Sequence, residues 1–304
     1  MKKISIIIIC IFSIYSCQKE ELTTNDFKGA YFENWDEFHK YHLELEFLPD
    51  EISALESVLE KDYKSFLEIA LNSDDDKILE IENKLTYGLM AILNSDLQFK
   101  IGEKIITFKE DAFYKFDTRK NSFIKVDNVD VSIIEFENSG ESSKIYISGT
   151  NTGGYSKKDF WRNAYYRCSD NAKILGPSNR QMRYTQQLKS LRSGSTAALF
   201  IETKLFYRNS KNKLRFAKKE EKNYTYNIQG TVGIAVAPYW NHYETQINYQ
   251  NTTRCTKSKY NRQLLAEVFP TDGRSWHIDL TGTITHHING DSESNKWIAP
   301  VNWK

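Results

Sequence analysis

The chain has 304 residues, a formal net charge of +1, 27% charged and 40% hydrophobic residues, 13% aromatics, and only five prolines. That mixture excludes a disordered, collagen-like, coiled-coil or polytopic membrane protein. The length is that of about two folded domains with real cores.

Residues 1–16 read as a signal peptide. Lys2 and Lys3 give a positive start, and the apolar run from Ile4 to Tyr15 is too short to span roughly 30 Å of hydrocarbon. The end of that run, Ile14-Tyr15-Ser16-Cys17, resembles a bacterial lipobox, with the tyrosine as a departure from the commonest pattern. The resemblance implies that Cys17 carries lipid as the first mature residue; the alternative is an ordinary secretory signal. Gln18-Lys19-Glu20-Glu21 resembles the export tag of some Bacteroidota lipoproteins, a lysine followed by acids. It implies display on the outer face of the outer membrane, with Lys19, Glu20 and Glu21 as the signal. A generic charged tether and a periplasm-facing anchor remain the alternative. Residues 17–33 serve as the tether.

Residues 34–137 form an acidic segment. Between residues 18 and 150 there are 15 Lys/Arg against 29 Asp/Glu, net −14, whereas residues 151–304 hold 24 against 11, net +13. Halves so different are either differently employed or dock against each other. Asn34 and Glu37 have capping-box spacing before an apolar series Trp35, Phe38, His42, Leu45, Leu48, which predicts a first helix. Pro49 opens a second, through Ile52, Leu55, Leu59, Phe66 and Ala70; after a loop at Asn72 to Asp76, Ile78, Glu82, Leu85, Leu89 and Ile92 or Leu93 carry a third. Beyond Asn94-Ser95-Asp96 the period changes, and Phe99 to Phe108 predicts a hairpin bent near Gly102, followed by strands at 113–116, 123–126 and 131–136. This order, helices, an Asn-Ser-Asp turn and then the hairpin Phe99-Lys100-Ile101-Gly102-Glu103-Lys104-Ile105-Ile106, resembles the front half of a class of uncharacterised Bacteroidota lipoproteins. That resemblance implies architecture and no activity.

Residues 138–157, rich in Gly, Ser, Thr and Asn, read as a linker, and residues 158–304 as a basic antiparallel β domain. Tyr224, Tyr226, Ile228, Val232, Ile234 and Val236 alternate with Thr225, Asn227, Gln229 and Thr231. Trp276, Ile278, Leu280, Ile284 and Ile288 alternate with His277, Asp279, Thr281, Thr283 and Thr285. With strands at Leu199 to Tyr207 and Leu264 to Phe269, this predicts a sandwich or open barrel. The fold class expected is α+β: N-terminal helices with β-hairpins, then an antiparallel sandwich-like domain. No period of 20–50 residues repeats.

Cys168 and Cys255 remain as an even pair in an oxidising compartment, which predicts a disulfide, two free thiols being the alternative. His39 and His42 lie three apart on a helix but lack a third ligand, so a core or interface role fits better than a metal site. His277, His287 and Asp279 share one strand face and read as a solvated row. No HExxH, GxSxG, P-loop or GxGxxG motif occurs, and Gly194-Ser195 reads as a hairpin tip. No catalytic residue, metal or cofactor is assigned, which favours a binding protein over an enzyme.

The physical clue to a ligand is the basic stretch Lys211, Lys213, Arg215, Lys218, Lys219 and Lys222 beside a dense set of aromatics, including Tyr239 and Trp240. Cations near flat rings suit an anionic glycan or an acidic protein partner, and a solvated hairpin arm is the plainer alternative. The expectation is a surface lipoprotein, held to the membrane by its N-terminal lipid, that works as a binding or adhesion module with no specific nucleic acid. A structural subunit of an outer-membrane assembly and a glycan-active hydrolase are the alternatives.

Overall fold

The computed structural model describes residues 27–59, 61–73, 75–126, 131–135, 155–172, 179–193, 196–236, 241–268 and 275–303. Cys17, Lys19, Glu20, Glu21, Tyr239, Trp240, the Gly194-Ser195 tip and residues 138–154 of the expected linker lie outside them. The fold is α+β, with N-terminal helices and a small mixed sheet followed by antiparallel sheets.

Helix α1 (Trp35–Glu46) begins where Asn34 Oδ1 accepts the Glu37 N–H at 3.0 Å. The Glu37 carboxylate accepts the Glu33 N–H at 2.7 Å, so two donors of the first turn are satisfied from one corner. Its inward stripe is Phe38, His42 and Leu45. The second expected helix is instead two, α2 (Glu51–Glu56) and α3 (Phe66–Asn72). The third likewise divides into α4 (Asp76–Glu82) and α5 (Tyr87–Ile92). Each new start has a side-chain acceptor: Ser65 Oγ takes the Glu68 N–H and Thr86 Oγ1 the Leu89 N–H. A local cap at mid-period thus outcompetes continuation of the helix. Among the described residues, no helix is long and apolar enough to cross a membrane.

The first sheet runs β1 (Tyr31–Phe32), β2 (Gln98–Ile101), β3 (Lys104–Lys109), β4 (Ala112–Asp117), β5 (Ser122–Lys125), with β1 parallel to β2 and the rest antiparallel. Gly102, at φ +53, makes the expected bend. Later strands are β6 (Val131–Glu135), β7 (Tyr155–Arg162), β8 (Arg180–Ser193), β9 (Thr196–Arg208), β10 (Leu214–Phe216), β11 (Lys222–Val236), β12 (Asn241–Thr256), β13 (Asn261–Val268), β14 (Ser275–Ile288) and β15 (Trp297–Trp303). A middle sheet has the order β10-β9-β8-β6, with β13 also on β9 and β7 also on β8. Strand β6 therefore joins the middle sheet, pairing Val131 with Ser193, rather than extending the first. The outer sheet has the order β12-β11-β14-β15.

The middle sheet is covered on both faces, and β9 shows why its sequence reads as a nearly unbroken apolar run. Leu199 and Ile201 pack into the core shared with the outer sheet. Ala198 and Phe200 point the other way, against Leu43 and Phe47 from the helical side. The layer order is therefore helices, middle sheet, outer sheet. The expected alternation holds in the outer sheet: Tyr224, Tyr226, Ile228 and Val232 of β11 and Trp276, Ile278, Leu280 and Ile284 of β14 fill the sandwich core. Gly230 and Gly282 interrupt those inward rows at φ +141 and +143. A Cβ there would lie 1.9 Å from the Asp279 carbonyl oxygen and 2.0 Å from that of Asn227. The β11–β14 crossing is tight enough to require glycine at both.

His286 completes the inward row of β14. It is fully buried, stacks on Trp297 at 4.7 Å and places Nε2 2.9 Å from Gln186 Oε1. Burial pushes its pKa down from the usual 6.5 to about 3, so the folded state favours neutral imidazole. Its contribution is complete above pH 6.5 and fades as pH falls toward 3. Between pH 6.5 and 5 the wild type should lose about 2 kcal/mol more stability than His286→Phe, at 1.36 kcal/mol per unit. Comparing the two isolates the effect, because Glu51, raised by burial to about 7, titrates in the opposite sense over that window. Parallel urea midpoints for the two proteins across it would refute the assignment.

Candidate functional site

The basic arm lies on the β9–β10 turn and the connection that follows. Lys213 Nζ reaches Asp76 Oδ2 at 3.1 Å, Arg215 also pairs with Asp76, and Lys218 Nζ donates to the Ser73 carbonyl at 2.9 Å. Hydrogen bonds from Lys213 and Arg215 hold the exposed Asp76 carboxyl below its usual range. Three of the six arm cations thus grip the connection from α3 to α4, which is the docking of acidic onto basic half that the charge asymmetry allowed. Lys211 and Lys219 are exposed. Lys222 is buried, its Nζ donating to the carbonyls of Ala217 and Ser258.

A buried ionic seam joins the helices to the middle sheet. Arg262 of β13 pairs with Glu46 of α1 and, through Nε at 2.8 Å, with Glu202 of β9. Lys189 and Lys204 lie 2.9 and 2.7 Å from Glu202. Burial raises the Glu46 carboxyl, but Arg262 and His42 beside it outweigh that and hold it at about 2. Lys259 Nζ meets Glu82 at 2.7 Å, and Glu51 accepts the backbone N–H groups of Lys259 and Tyr260. The charges of the seam are nearly all enclosed.

The two N-terminal histidines belong to the same boundary. His39 Nδ1 and His42 Nδ1 lie 2.9 and 3.1 Å from Ser193 Oγ, and His42 Nε2 is 3.2 Å from Glu46 Oε1. The order serine, histidine, carboxylate is that of a hydrolytic triad. However, Ser193 is 1% and His42 0% exposed, so no substrate reaches the hydroxyl and the chain of contacts fastens α1 to β8. His277 is 3.5 Å from Glu244, while His287 Nε2 is 3.3 Å from the Asp291 carbonyl oxygen. His287 and Asp279 are eight residues apart on β14, roughly 27 Å at strand rise, and do not converge. Cys168 and Cys255 form a disulfide, and the Cys168 N–H donates to Glu221 Oε2 at 2.5 Å. Among the described residues, the group with metal-ligand spacing is this pair with Glu221, and its two sulfurs are bonded to each other.

A groove of about 520 Å³ lies between residues 27–32 and α1. Its walls alternate Lys40 and Lys61 with Glu37, Glu44 and Asp62, so they neutralise one another. A second depression of about 520 Å³ lies on the outward face of the outer sheet. The strand registers put Thr252, Thr225 and Thr285 in one row across β12, β11 and β14, then Gln250, Asn227 and Thr283. The rows Asn248, Gln229, Thr281 and Gln246, Thr231, Asp279 follow. Eleven of these twelve positions are Thr, Asn or Gln and one is charged. Alternation in β11 and β14 signalled two columns of this array from sequence; β12 and the cross-strand register did not show there.

No family model and no curated protein matches the chain. Among solved structures, it is similar to a DUF4848 family protein from Bacteroides thetaiotaomicron, at 14% identity and a TM-score of 0.24, over 91% of this chain and 98% of that one. It is also similar to the KRT10-binding region domain of the pneumococcal serine-rich repeat protein PsrP, at 12% identity and a TM-score of 0.16, over 48% of this chain and 98% of that one.

Proposed function

We propose that the chain is a lipid-anchored binding or adhesion module of the bacterial cell surface that presents the outward face of its outer sheet to a ligand. The observation that carries this reading is the part of that face on β12, β11 and β14, a solvent-exposed array of amides and hydroxyls with one charge in twelve positions, bordered by Ile298 of β15 and by the His277–Glu244 pair. Layer order supports it: residue 27, where the tether arrives, borders α1, two layers away from that face. A lipid on Cys17 would hold the helical side toward the membrane and the outer sheet away from it. Cys17→Ala should move the protein from the membrane fraction to the soluble one, and protease added to whole cells should degrade the wild type. Retention of the variant in membranes refutes the anchor, and full protection of the wild type turns it toward the periplasm. The second reading, an anionic glycan or acidic protein partner, rests on Lys211 and Lys219, two of the arm cations exposed to solvent.

A further inference from the structure

We propose that the outward face of β11, β12 and β14 binds an uncharged polysaccharide lying flat across the strands; this rests on the reading of that face as the ligand surface and specifies the ligand. A sheet face that only has to stay wet is commonly dressed with charge, since a quarter to a third of a typical surface is Lys, Arg, Glu and Asp. This chain has 27% charged residues, yet they are nearly absent from these rows. Such charge keeps a sheet face soluble, so a composition without it asks for another reason.

The side chains present select among ligands. None of the twelve positions holds a cation, which leaves anionic glycans and nucleic acid without a counter-charge. None of the twelve is aromatic or aliphatic, and the exposed Ile298 of β15, beside Thr285, stands at the sheet edge, whereas the centre of a protein interface is apolar. What the face offers is paired donor and acceptor capacity: Gln229, Gln246 and Asn248 each present a carbonyl oxygen and an NH2 group, and Thr231 and Thr281 a hydroxyl. Asp279 adds an acceptor. Neighbours stand about 5 Å apart across strands and about 7 Å along them. Vicinal hydroxyls of a sugar ring act as donor and acceptor at once, and a planar amide can meet both. The depression around Gly230 gives a ring a place to settle, and four strand rows allow several sugar residues to be held together, each weakly.

Native electrophoresis of the detergent-solubilised full chain through gels containing dextran, laminarin, glucomannan, galactan, polygalacturonate or chondroitin sulfate tests this. At least one of the four neutral polymers should retard the protein, equally at low and high salt, because hydrogen bonds to uncharged hydroxyls involve no ligand charge to be screened. Gln229→Ala with Asn248→Ala, both exposed and expected to leave the circular dichroism spectrum unchanged, should weaken that retardation about tenfold or more. Lys211→Glu with Lys219→Glu should leave it unaltered. Lack of retardation by every neutral polymer, or retardation indifferent to the amide variant, overturns the proposal. If an anionic polymer or a second copy of the chain binds instead and the amide variant abolishes it, the ligand assignment falls and the face remains the binding surface. If the lysine variant alone abolishes binding, both fall.

Discussion

Replacing Arg262 with leucine should destabilise the protein by about 3–5 kcal/mol, the cost of leaving a buried carboxylate without its cation. Arg262 is 5% exposed, touches Glu46 and Glu202, and places its guanidinium 4.2 Å from the centre of the Tyr87 ring. The loss falls unevenly. Glu202 keeps Lys189 and Lys204, whereas Glu46 keeps hydrogen bonds to His42 and to the Gly88 N–H at 2.7 Å. Because the Glu46 pKa is lowered on folding to about 2, its contribution is full above pH 4.5 and disappears as pH falls toward 2. The penalty of Arg262→Leu should shrink over that same interval. Urea unfolding at pH 7 measures the effect, and Glu46→Gln in the same background should recover part of it as a coupling energy. A loss below about 1 kcal/mol, in the range of an exposed pair, would mean the seam is wetter than its burial indicates.

Removing the Cys168–Cys255 disulfide by changing both residues to serine should cost about 4–5 kcal/mol on the chain-entropy account, since the bond closes a loop across 87 residues. The loop contains β8 to β11 and nearly all of β12, so most of the middle sheet is threaded inside it. In the unfolded chain the bond restrains that whole stretch. In the folded one it ties the segment after β7 to the end of β12. Chemical unfolding of the oxidised and the double-serine proteins gives the difference directly. Equal midpoints would show that the reduced unfolded chain already keeps those segments close.

The outer sheet was the most legible part of the sequence because β11 and β14 have one wet and one dry face, so polarity alternates with the pleat. The strands β8 and β12 were not legible. In β8 the core-facing row includes Gln186 and Ser190, which bond His286 and Trp276, and the opposite row includes Lys189 and Ser193, which are buried in the helical boundary. Polar residues at core positions erase the period. Ser65 and Thr86, which divide the helices, are of types equally at home on an exposed helix surface, and their capping role depends on the backbone around them. The arm lysines announced a basic surface, but Asp76 lies 137 and 139 residues from Lys213 and Arg215, a separation no local pattern carries. The amide array needed strand order and register, neither of which single-strand periodicity contains.

The ionic seam also orders events in time. Glu46 and Glu82 are synthesised long before Arg262 and Lys259, and until those arrive the helices lack the cations with which these two carboxylates are enclosed. Their hydrophobic faces are equally unfinished, since Phe216 and Tyr260 complete the core of the helical layer. The helical layer is therefore complete only once β10 and β13 are in place. Such dependence on contacts distant in sequence makes folding slow. For a chain exported unfolded, as proposed above, the same dependence would leave the helical layer incomplete until β13 has crossed.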